Sequence, residues 1–108
     1  MKRSALLMTA LLFCTWAIAH AKINTYDGWL SDSKCGVKGA NAGHAQCAKK
    51  CVENGEKPVL VTDKEQKVVP IDNPDAVSGS VGQHVKVTGT MTDSGSLKVD
   101  KVAPSAAQ

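Results

Sequence analysis

An apolar run near the amino terminus, Ala5 to Ala19, most constrains what this chain can fold into, because it removes about a fifth of the 108 residues from the folding problem. The basic start Met1-Lys2-Arg3 and the small residues that close the run are typical of a Sec signal peptide. A membrane-spanning helix needs roughly 18 apolar residues, and this run is shorter. The pattern predicts cleavage after Ala21, with Ala19 as the alternative, and export to the periplasm or the medium.

Removal of residues 1–21 leaves a mature chain of 87 residues with eleven lysines, ten acidic residues and two aromatic residues, Tyr26 and Trp29. Proteins that bind single-stranded nucleic acid use a basic groove with stacking aromatic side chains, and this composition supplies neither. We therefore expect no nucleic-acid partner, and no membrane association after cleavage. Cys14 leaves with the signal peptide, so three cysteines remain.

A chain of this length supports one small domain, for which we predict the bounds 22–102 and a flexible tail over 103–108. A domain with so modest a core gains materially from a disulfide or a bound metal. Export makes a disulfide chemically accessible.

Alternating apolar residues and turn signals predict five strands, at 25–31, 58–62, 67–71, 84–90 and 96–100. Pro70 restricts the third strand to an edge position or ends it. Residues 44–53 are predicted to form a short helix after a loop rich in glycine and asparagine, and one further helical turn is expected near Pro74. Asn41 or Gly43 is expected to start the short helix.

This order predicts a mainly β (α+β) fold, a small five-stranded OB-like barrel. The departure from that pattern is the cysteine-bearing helix inserted between strands 1 and 2. A small open β-sandwich is the alternative.

Four residues with metal or thiol chemistry fall within one stretch of 17 residues: Cys35, His44, Cys47 and Cys51. On a helix the last three lie within an arc of about 60° and share a face. Cys35 precedes them on a loop long enough to fold back onto that face. The sequence therefore predicts one shared site.

The first interpretation of this cluster is a disulfide that leaves one free thiol. Side chains at i and i+4 of a helix have Cβ atoms roughly 5 to 6 Å apart, whereas a disulfide requires about 3.5 to 4.5 Å. A bridge is therefore expected from Cys35 to Cys47 or to Cys51, with a stabilisation of about 3 kcal/mol. If Cys47 is the spare thiol, its position beside His44 favours a reactive thiolate.

The second interpretation is a metal site, because three cysteines and one histidine form a recognised tetrahedral ligand set for zinc. Copper is the other metal expected. His44 and Cys51 would lie about 10.5 Å apart along a straight helix. The full set of four therefore requires His44 to lie before the helix proper. Asp32 is an auxiliary candidate, as an oxygen ligand or as a partner of His44, although an aspartate in this position more often orders its own loop.

Recognised catalytic patterns are absent from the sequence: there is no nucleophile elbow, no H-E-x-x-H, no P-loop and no C-x-x-C. We therefore do not expect an enzyme. Among the remaining candidates, His84 opens a strand and is expected to face solvent, and Trp29 is expected in the core.

Several stretches of the chain resemble a family of small exported bacterial proteins of unknown function. The resemblance is carried by Gly28-Trp29-Leu30-Ser31-Asp32-Ser33-Lys34-Cys35-Gly36, His44-x-x-Cys47-x-x-x-Cys51-Val52, Gly55-x-x-Pro58-Val59-Leu60-Val61 and Val85-Lys86-Val87-Thr88-Gly89-Thr90. It implies an envelope or secreted location, a small β domain and the same cluster, and it brings no established activity.

Together these observations predict an exported, non-enzymatic binding module whose cluster is stapled by a disulfide or binds a metal. A thiol redox or redox-sensing protein is one alternative, and an interaction domain with purely structural cysteines is another. The expected partner is a protein or a metal ion. We expect a monomer, with a thiol-linked dimer as the alternative.

Overall fold

The computed structural model describes residues 22–106. The signal-peptide prediction and the last part of the expected tail lie outside this range. Within it, no helix combines the length and the apolar character needed to cross a bilayer.

The described chain folds into five strands with one α-helix and three 3₁₀ helices. The strands are β1 (Ile23–Asp32), β2 (Pro58–Thr62), β3 (Val68–Pro70), β4 (His84–Met91) and β5 (Leu97–Pro104). The helix α1 spans Ala45–Glu53, and the 3₁₀ helices span Gly36–Gly39, Ala42–His44 and Pro74–Ser80. Each predicted element is present, and the helical turn near Pro74 is longer than expected.

The strands form one antiparallel sheet in the order β3-β2-β1-β4-β5. A single parallel bridge between Ile71 and Leu97 brings the two edges of the sheet together at one point. The prediction of a mainly β fold with a helix between strands 1 and 2 is confirmed, and the barrel is not closed. As predicted, Pro70 ends an edge strand, where a missing N–H costs no ladder hydrogen bond.

Apolar side chains from the strands and from the 3₁₀ helix Pro74–Ser80 fill the concave side of the sheet. The buried cluster consists of Leu30, Leu60, Val69, Ile71, Val77, Val85, Val87, Leu97 and Val99. Val85 and Val87 face inward together, as the alternation in strand 4 predicts. Burial of each such side chain contributes about 1.5 to 3 kcal/mol, so this core stabilises the sheet independently of the cysteines.

β1 is long enough to pair with two neighbours in succession, and this places the cysteine-bearing segment. Its first part pairs with β4, and its last part, from Gly28 to Asp32, pairs with β2. Ser31 and Asp32 at its end are fully buried polar residues. The insertion that follows therefore starts from a fixed, buried point on the sheet.

The expectation that His84 faces solvent is wrong, because its side chain is buried at the start of β4. Nε2 lies 2.7 Å from Asp63 Oδ2, and Nδ1 lies 3.2 Å from the carbonyl oxygen of Ser105. The ring of Trp29 meets the imidazole edge-on at 5.3 Å, and Trp29 is half-buried rather than part of the core cluster. The two oxygen atoms give the ring nitrogens hydrogen-bond partners, which offsets the free-energy cost of burying a polar side chain.

The carboxyl end of the described chain is also more ordered than the sequence suggests. β5 continues to Pro104, two residues into the segment expected as a tail, and the N–H of Ser105 donates to the carbonyl oxygen of His84. His84 therefore connects β4, the turn after β2 and the end of β5.

Candidate functional site

The candidate site begins with Asp32, whose carboxylate shapes the loop that follows it. Its Oδ2 atom accepts the backbone N–H groups of Lys34 and Cys35, each at 3.0 Å. The expectation that this aspartate orders its own loop is confirmed. The Ser31 hydroxyl donates to the carbonyl oxygen of Gly36 at 3.0 Å, so Cys35 is fixed from both sides by buried side chains of β1.

His44 lies at the junction of a 3₁₀ helix and α1. Asn41 Oδ1 accepts the backbone N–H of His44 at 3.1 Å, and the Asn41 amide donates to the carbonyl oxygen of Lys38 at 3.1 Å. Asn41 thus starts this helical region, as predicted, because its side chain satisfies an N–H that the first turn leaves free. His44 is the N-cap of α1 and precedes the helix proper, which is the condition that a shared histidine and cysteine site requires.

Cys47 and Cys51 lie on successive turns of α1. Ala48 is the one buried residue of the helix, so α1 rests lightly on the sheet. Its first residue, Ala45, packs directly over Gly82, whose φ of +85° suits glycine. The backbone of the loop before β4 therefore sets the position of the first turn of α1.

The structure brings three of the four predicted cluster residues into one group. Sγ of Cys35, a ring nitrogen of His44 and Sγ of Cys47 all lie within 4.8 Å of one another. Cys35 and His44 are half-buried, and Cys47 is exposed. Cys51 lies outside this group of three and is half-buried, and no disulfide joins Cys35, Cys47 and Cys51.

Two of the thiols lie in surroundings that disfavour the thiolate. Partial burial raises the pKa of Cys35, and the negative charge of Asp32 and the neighbouring Cys47 raise it further. Burial also raises the pKa of Cys51, followed by Asp32 and Cys47. In the absence of a cation, Cys35 and Cys51 therefore hold their protons at neutral pH.

The second oxygen of Asp32 is the most unusual polar atom of the site. The side chain is fully buried, and Oδ1 has no hydrogen-bond partner among residues 22–106. Buried acceptors are nearly always paired, and an unpaired carboxylate oxygen is costly. Because the charge of the Asp32 carboxylate raises the pKa of both Cys35 and Cys51, this carboxylate lies near the thiols and favours a cation there.

The ligand spacing fits a tetrahedral metal ion after small side-chain movements. Bond lengths of about 2.3 Å to sulfur and about 2.0 Å to nitrogen place neighbouring ligand atoms about 3.5 to 3.8 Å apart. The observed limit of 4.8 Å exceeds this by about 1 Å. Cys47 is exposed, so its side chain has room to adjust towards the other two ligands.

Comparison with known protein families finds a match. A family described as "Protein of unknown function (DUF5818)" matches residues 52–105, half of the chain. The chain belongs to this family. No curated protein and no solved structure matches it.

The part of the chain that matches DUF5818 runs from the end of α1 through β5, and it begins one residue after Cys51. Membership in a family of unknown function is therefore confirmed. The cysteine and histidine motif lies outside the matched segment, and it stays a prediction, as export does.

For this DUF5818 protein, sequence reasoning found the residues of the cluster and missed those that support them. The spacing of His44, Cys47 and Cys51 predicts a shared helix face onto which the loop with Cys35 folds back. The structure brings the ligand atoms of Cys35, His44 and Cys47 together, and Cys51 lies outside that group. The role of Ser31 was missed, because a serine within a strand carries no local signal of a loop contact. The His84 and Asp63 pair was missed because it joins residues 21 positions apart.

Proposed function

We propose that this DUF5818 protein is an exported binding module that holds a zinc or copper ion through Cys35, His44 and Cys47. The observation that carries the proposal is the convergence of their three ligand atoms within 4.8 Å. They come from the loop after β1, from the N-cap of α1 and from the third residue of α1. Chance proximity along one helix does not explain the inclusion of Cys35.

The electrostatics of the site support a cation. Asp32 is buried with one unpaired oxygen beside two thiols whose pKa values it raises. A metal ion reverses this unfavourable arrangement, since it stabilises thiolates and attracts the carboxylate at the same time. Metal binding releases the thiol protons, so affinity rises with pH.

The donor atoms select the class of metal. Thiolate and imidazole ligands suit zinc and copper, whereas calcium and magnesium require oxygen ligands. Cys51 supplies a further thiol beside Cys47 for the fourth position, and Asp32 supplies an oxygen for the same role. Both fit the tetrahedral sets that zinc forms in proteins.

Export is the part of the proposal that depends on sequence alone. The basic start, the apolar run and the small residues at its end support a Sec signal peptide. In the periplasm or outside the cell, a site with an exposed thiol, Cys47, meets metal ions and oxidants directly.

Metal titration of the exported protein tests this proposal. The full chain is expressed, the mature protein is recovered from the periplasm, reduced and stripped of metal, and Zn²⁺ is titrated against a competing chromophoric chelator. We expect one ion per chain, and a loss of about 100-fold or more in affinity for Cys35→Ser, His44→Ala or Cys47→Ser. Lys49→Ser, on the far side of α1, is the control and should bind as the wild type does.

Failure takes two forms in this experiment. A reduced protein that binds no zinc or copper contradicts the metal site, and so does a Cys35→Ser variant of unchanged affinity. Recovery of the full chain in the cytoplasm, with residues 1–21 still attached, contradicts export.

Thiol redox chemistry is the second candidate function, and the same proximity of Cys35 and Cys47 favours it. Mass spectrometry after alkylation without reduction separates the two. One alkylated cysteine indicates a bridge from Cys35 to Cys47 or Cys51. Cysteines that resist alkylation while a stoichiometric metal ion is seen in native spectra support the metal site, and three alkylated cysteines without metal remove both functions.

A further inference from the structure

The cysteine-bearing insertion differs in charge from the sheet that carries it. Residues 33–57 contain five lysines and two glutamates, a net charge of +3. The rest of the described chain, 22–32 and 58–106, contains six lysines and eight acidic residues, a net charge of −2. The basic character of the protein is therefore concentrated around the candidate metal site.

We call three of these lysines, each within three residues of a cluster cysteine along the chain, the basic rim: Lys34, Lys38 and Lys50. Lys34 directly precedes Cys35, and Lys38 lies in the 3₁₀ helix that follows it. Lys50 comes three residues after Cys47 on α1, about 60° around the helix axis from it. All three are exposed, and none has a carboxylate within ion-pairing distance in residues 22–106.

The remaining charges of α1 point elsewhere. Lys49 and Glu53 lie about 160° and 120° around the helix from Cys47, on the opposite side. Glu56, the other glutamate of the insertion, accepts the hydroxyl of Ser33 at 2.8 Å. Glu53 follows Lys50 by three residues and neighbours it on the helix surface, but no carboxylate of residues 22–106 lies within ion-pairing distance of a rim lysine.

The exposure of Cys47 makes the metal reachable from the same side. Structural zinc sites are closed, with four protein ligands around the ion. Here Cys47, one of the three ligand residues, is exposed to solvent, and Lys50 follows it by three residues on the same helix. An incoming ligand can approach the ion at Cys47 without unfolding the site.

We propose that the basic rim docks an acidic partner protein, with which the metal ion is exchanged at Cys47. This inference rests on the proposed metal-binding function and names the partner of that site. Opposite charge raises the rate of encounter between two proteins and selects their orientation. A partner whose own metal ligands lie among glutamates or aspartates matches a thiolate site surrounded by lysines.

The exchange is a ligand substitution without electron transfer. A deprotonated ligand of the partner forms a bond to the ion as the bond between the ion and Cys47 breaks. Cys47 then takes up, through the solvent, the proton that the partner ligand released on deprotonation. Further partner ligands replace His44 and Cys35 in turn, and Cys35 takes up a second released proton in the same way. The charge of the metal ion is the same before and after.

Two synthetic peptides serve as probes. One carries two cysteines flanked by glutamates, and the other has glutamine in place of every glutamate. The rate at which each removes Zn²⁺ from the loaded, reduced protein is followed at low and at high salt. We expect the acidic peptide to react about 10-fold faster or more at low salt, and the difference to shrink at high salt.

Charge-reversal variants locate the effect. The variant K34E/K38E/K50E should lose the advantage of the acidic peptide. The matched variant K64E/K98E/K101E changes net charge equally, on the turn after β2 and on β5, and should retain most of it. A control variant that slows the acidic peptide as strongly as the rim variant contradicts a defined docking surface.

The equilibrium affinity for Zn²⁺ is measured first for each variant. This measurement separates the inference of an acidic partner from the metal-binding function on which it rests. A wild-type protein that binds no zinc overturns both. A protein that binds zinc, yet yields it equally fast to the acidic and the neutral peptide, overturns the acidic partner alone.

Discussion

Asp32 does two things with one carboxylate. One oxygen holds the loop that presents Cys35, and the other is buried without a partner beside the thiols. Local loop chemistry predicts the first role from the sequence. The second follows only from the fold, since the burial of Asp32 depends on the pairing of β1 with β2.

Asp32→Asn tests the electrostatic role of this carboxylate. The negative charge of Asp32 contributes to the raised pKa of Cys35 and Cys51, so its removal should lower both values. More thiolate is then present at a given pH, and alkylation of the metal-free protein by iodoacetamide should accelerate at pH 7 to 8. Rates are measured for each cysteine by mass spectrometry. An unchanged pH profile for Cys35 would show that burial alone sets its pKa.

The contact between Asp63 and His84 makes a second prediction at this scale. Asp63→Ala removes a 2.7 Å hydrogen bond to a buried imidazole. We expect it to lower the free energy of unfolding by about 1 to 3 kcal/mol. Glu65→Ala, an exposed residue in the same turn, is the control and should change stability by less than about 0.5 kcal/mol. Urea denaturation distinguishes the two, and equal effects would contradict a specific role for this pair.

Among the secondary-structure elements, the helix α1 contributes few buried side chains to the fold. α1 has nine residues and buries Ala48 alone, while isolated helices of this length are marginal in water. Its attachment to the sheet relies on the hydrogen bond from the His44 N–H to Asn41 and on the contact of Ala45 with Gly82. A metal ion or a disulfide in the cluster would add to it. The elements of the sheet instead share a continuous apolar core.

Gly82→Ala should therefore disturb the site from a distance. A Cβ atom at this position would lie 2.7 Å from the carbonyl oxygen of Ala45, so the first turn of α1 must shift. Strain at the positive φ costs about 1 to 3 kcal/mol in addition. We expect lower stability and weaker Zn²⁺ binding.

Gly95→Ala is the matched control for this variant. Gly95 has nearly the same φ, +84°, and nothing lies within 4 Å of an added Cβ. It should lose stability through strain and keep the metal affinity of the wild type. If both variants bind Zn²⁺ equally well, the packing of α1 on Gly82 does not position His44.

The sequence predicted these elements because their signals are local. Alternation in β4 and the turn at Gly95 give the last hairpin, and Asn41 starts the helical region. The burial of His84 was not predictable in this way. Alternation predicts which face of the sheet a residue lies on, but it does not predict which other parts of the chain cover that face. Its cover comes from Trp29 and from the turn that contains Asp63.

At the scale of the whole molecule, two parts with different roles share one chain. The sheet carries the apolar core, and the segment that matches DUF5818 includes four of its strands, β2 to β5. The insertion carries the cluster and the excess positive charge. The barrel order was predictable from the succession of elements. The lack of closure was not, because it depends on how few residues β3 contributes to the edge.

The raised pKa values of Cys35 and Cys51 predict how global stability depends on pH. The folded protein binds these two protons more tightly than the unfolded chain, whose thiols have a pKa of about 8.5. The resulting stabilisation is complete below that pH and is lost as the pH rises through the folded-state values. The free energy of unfolding of the reduced, metal-free protein should therefore fall more between pH 7 and 10 than that of a Cys35→Ser/Cys51→Ser variant. Equal slopes for the two proteins would contradict the raised values.

X-ray absorption spectroscopy of the zinc-loaded, reduced protein measures the ligands of the proposed metal site. We expect at least two sulfur neighbours at about 2.3 Å and an imidazole nitrogen at about 2.0 Å. Cys35→Ser should remove one of the sulfur neighbours. A coordination shell of oxygen and nitrogen alone, or one that Cys35→Ser leaves unchanged, would rule out a metal site built on Cys35, His44 and Cys47.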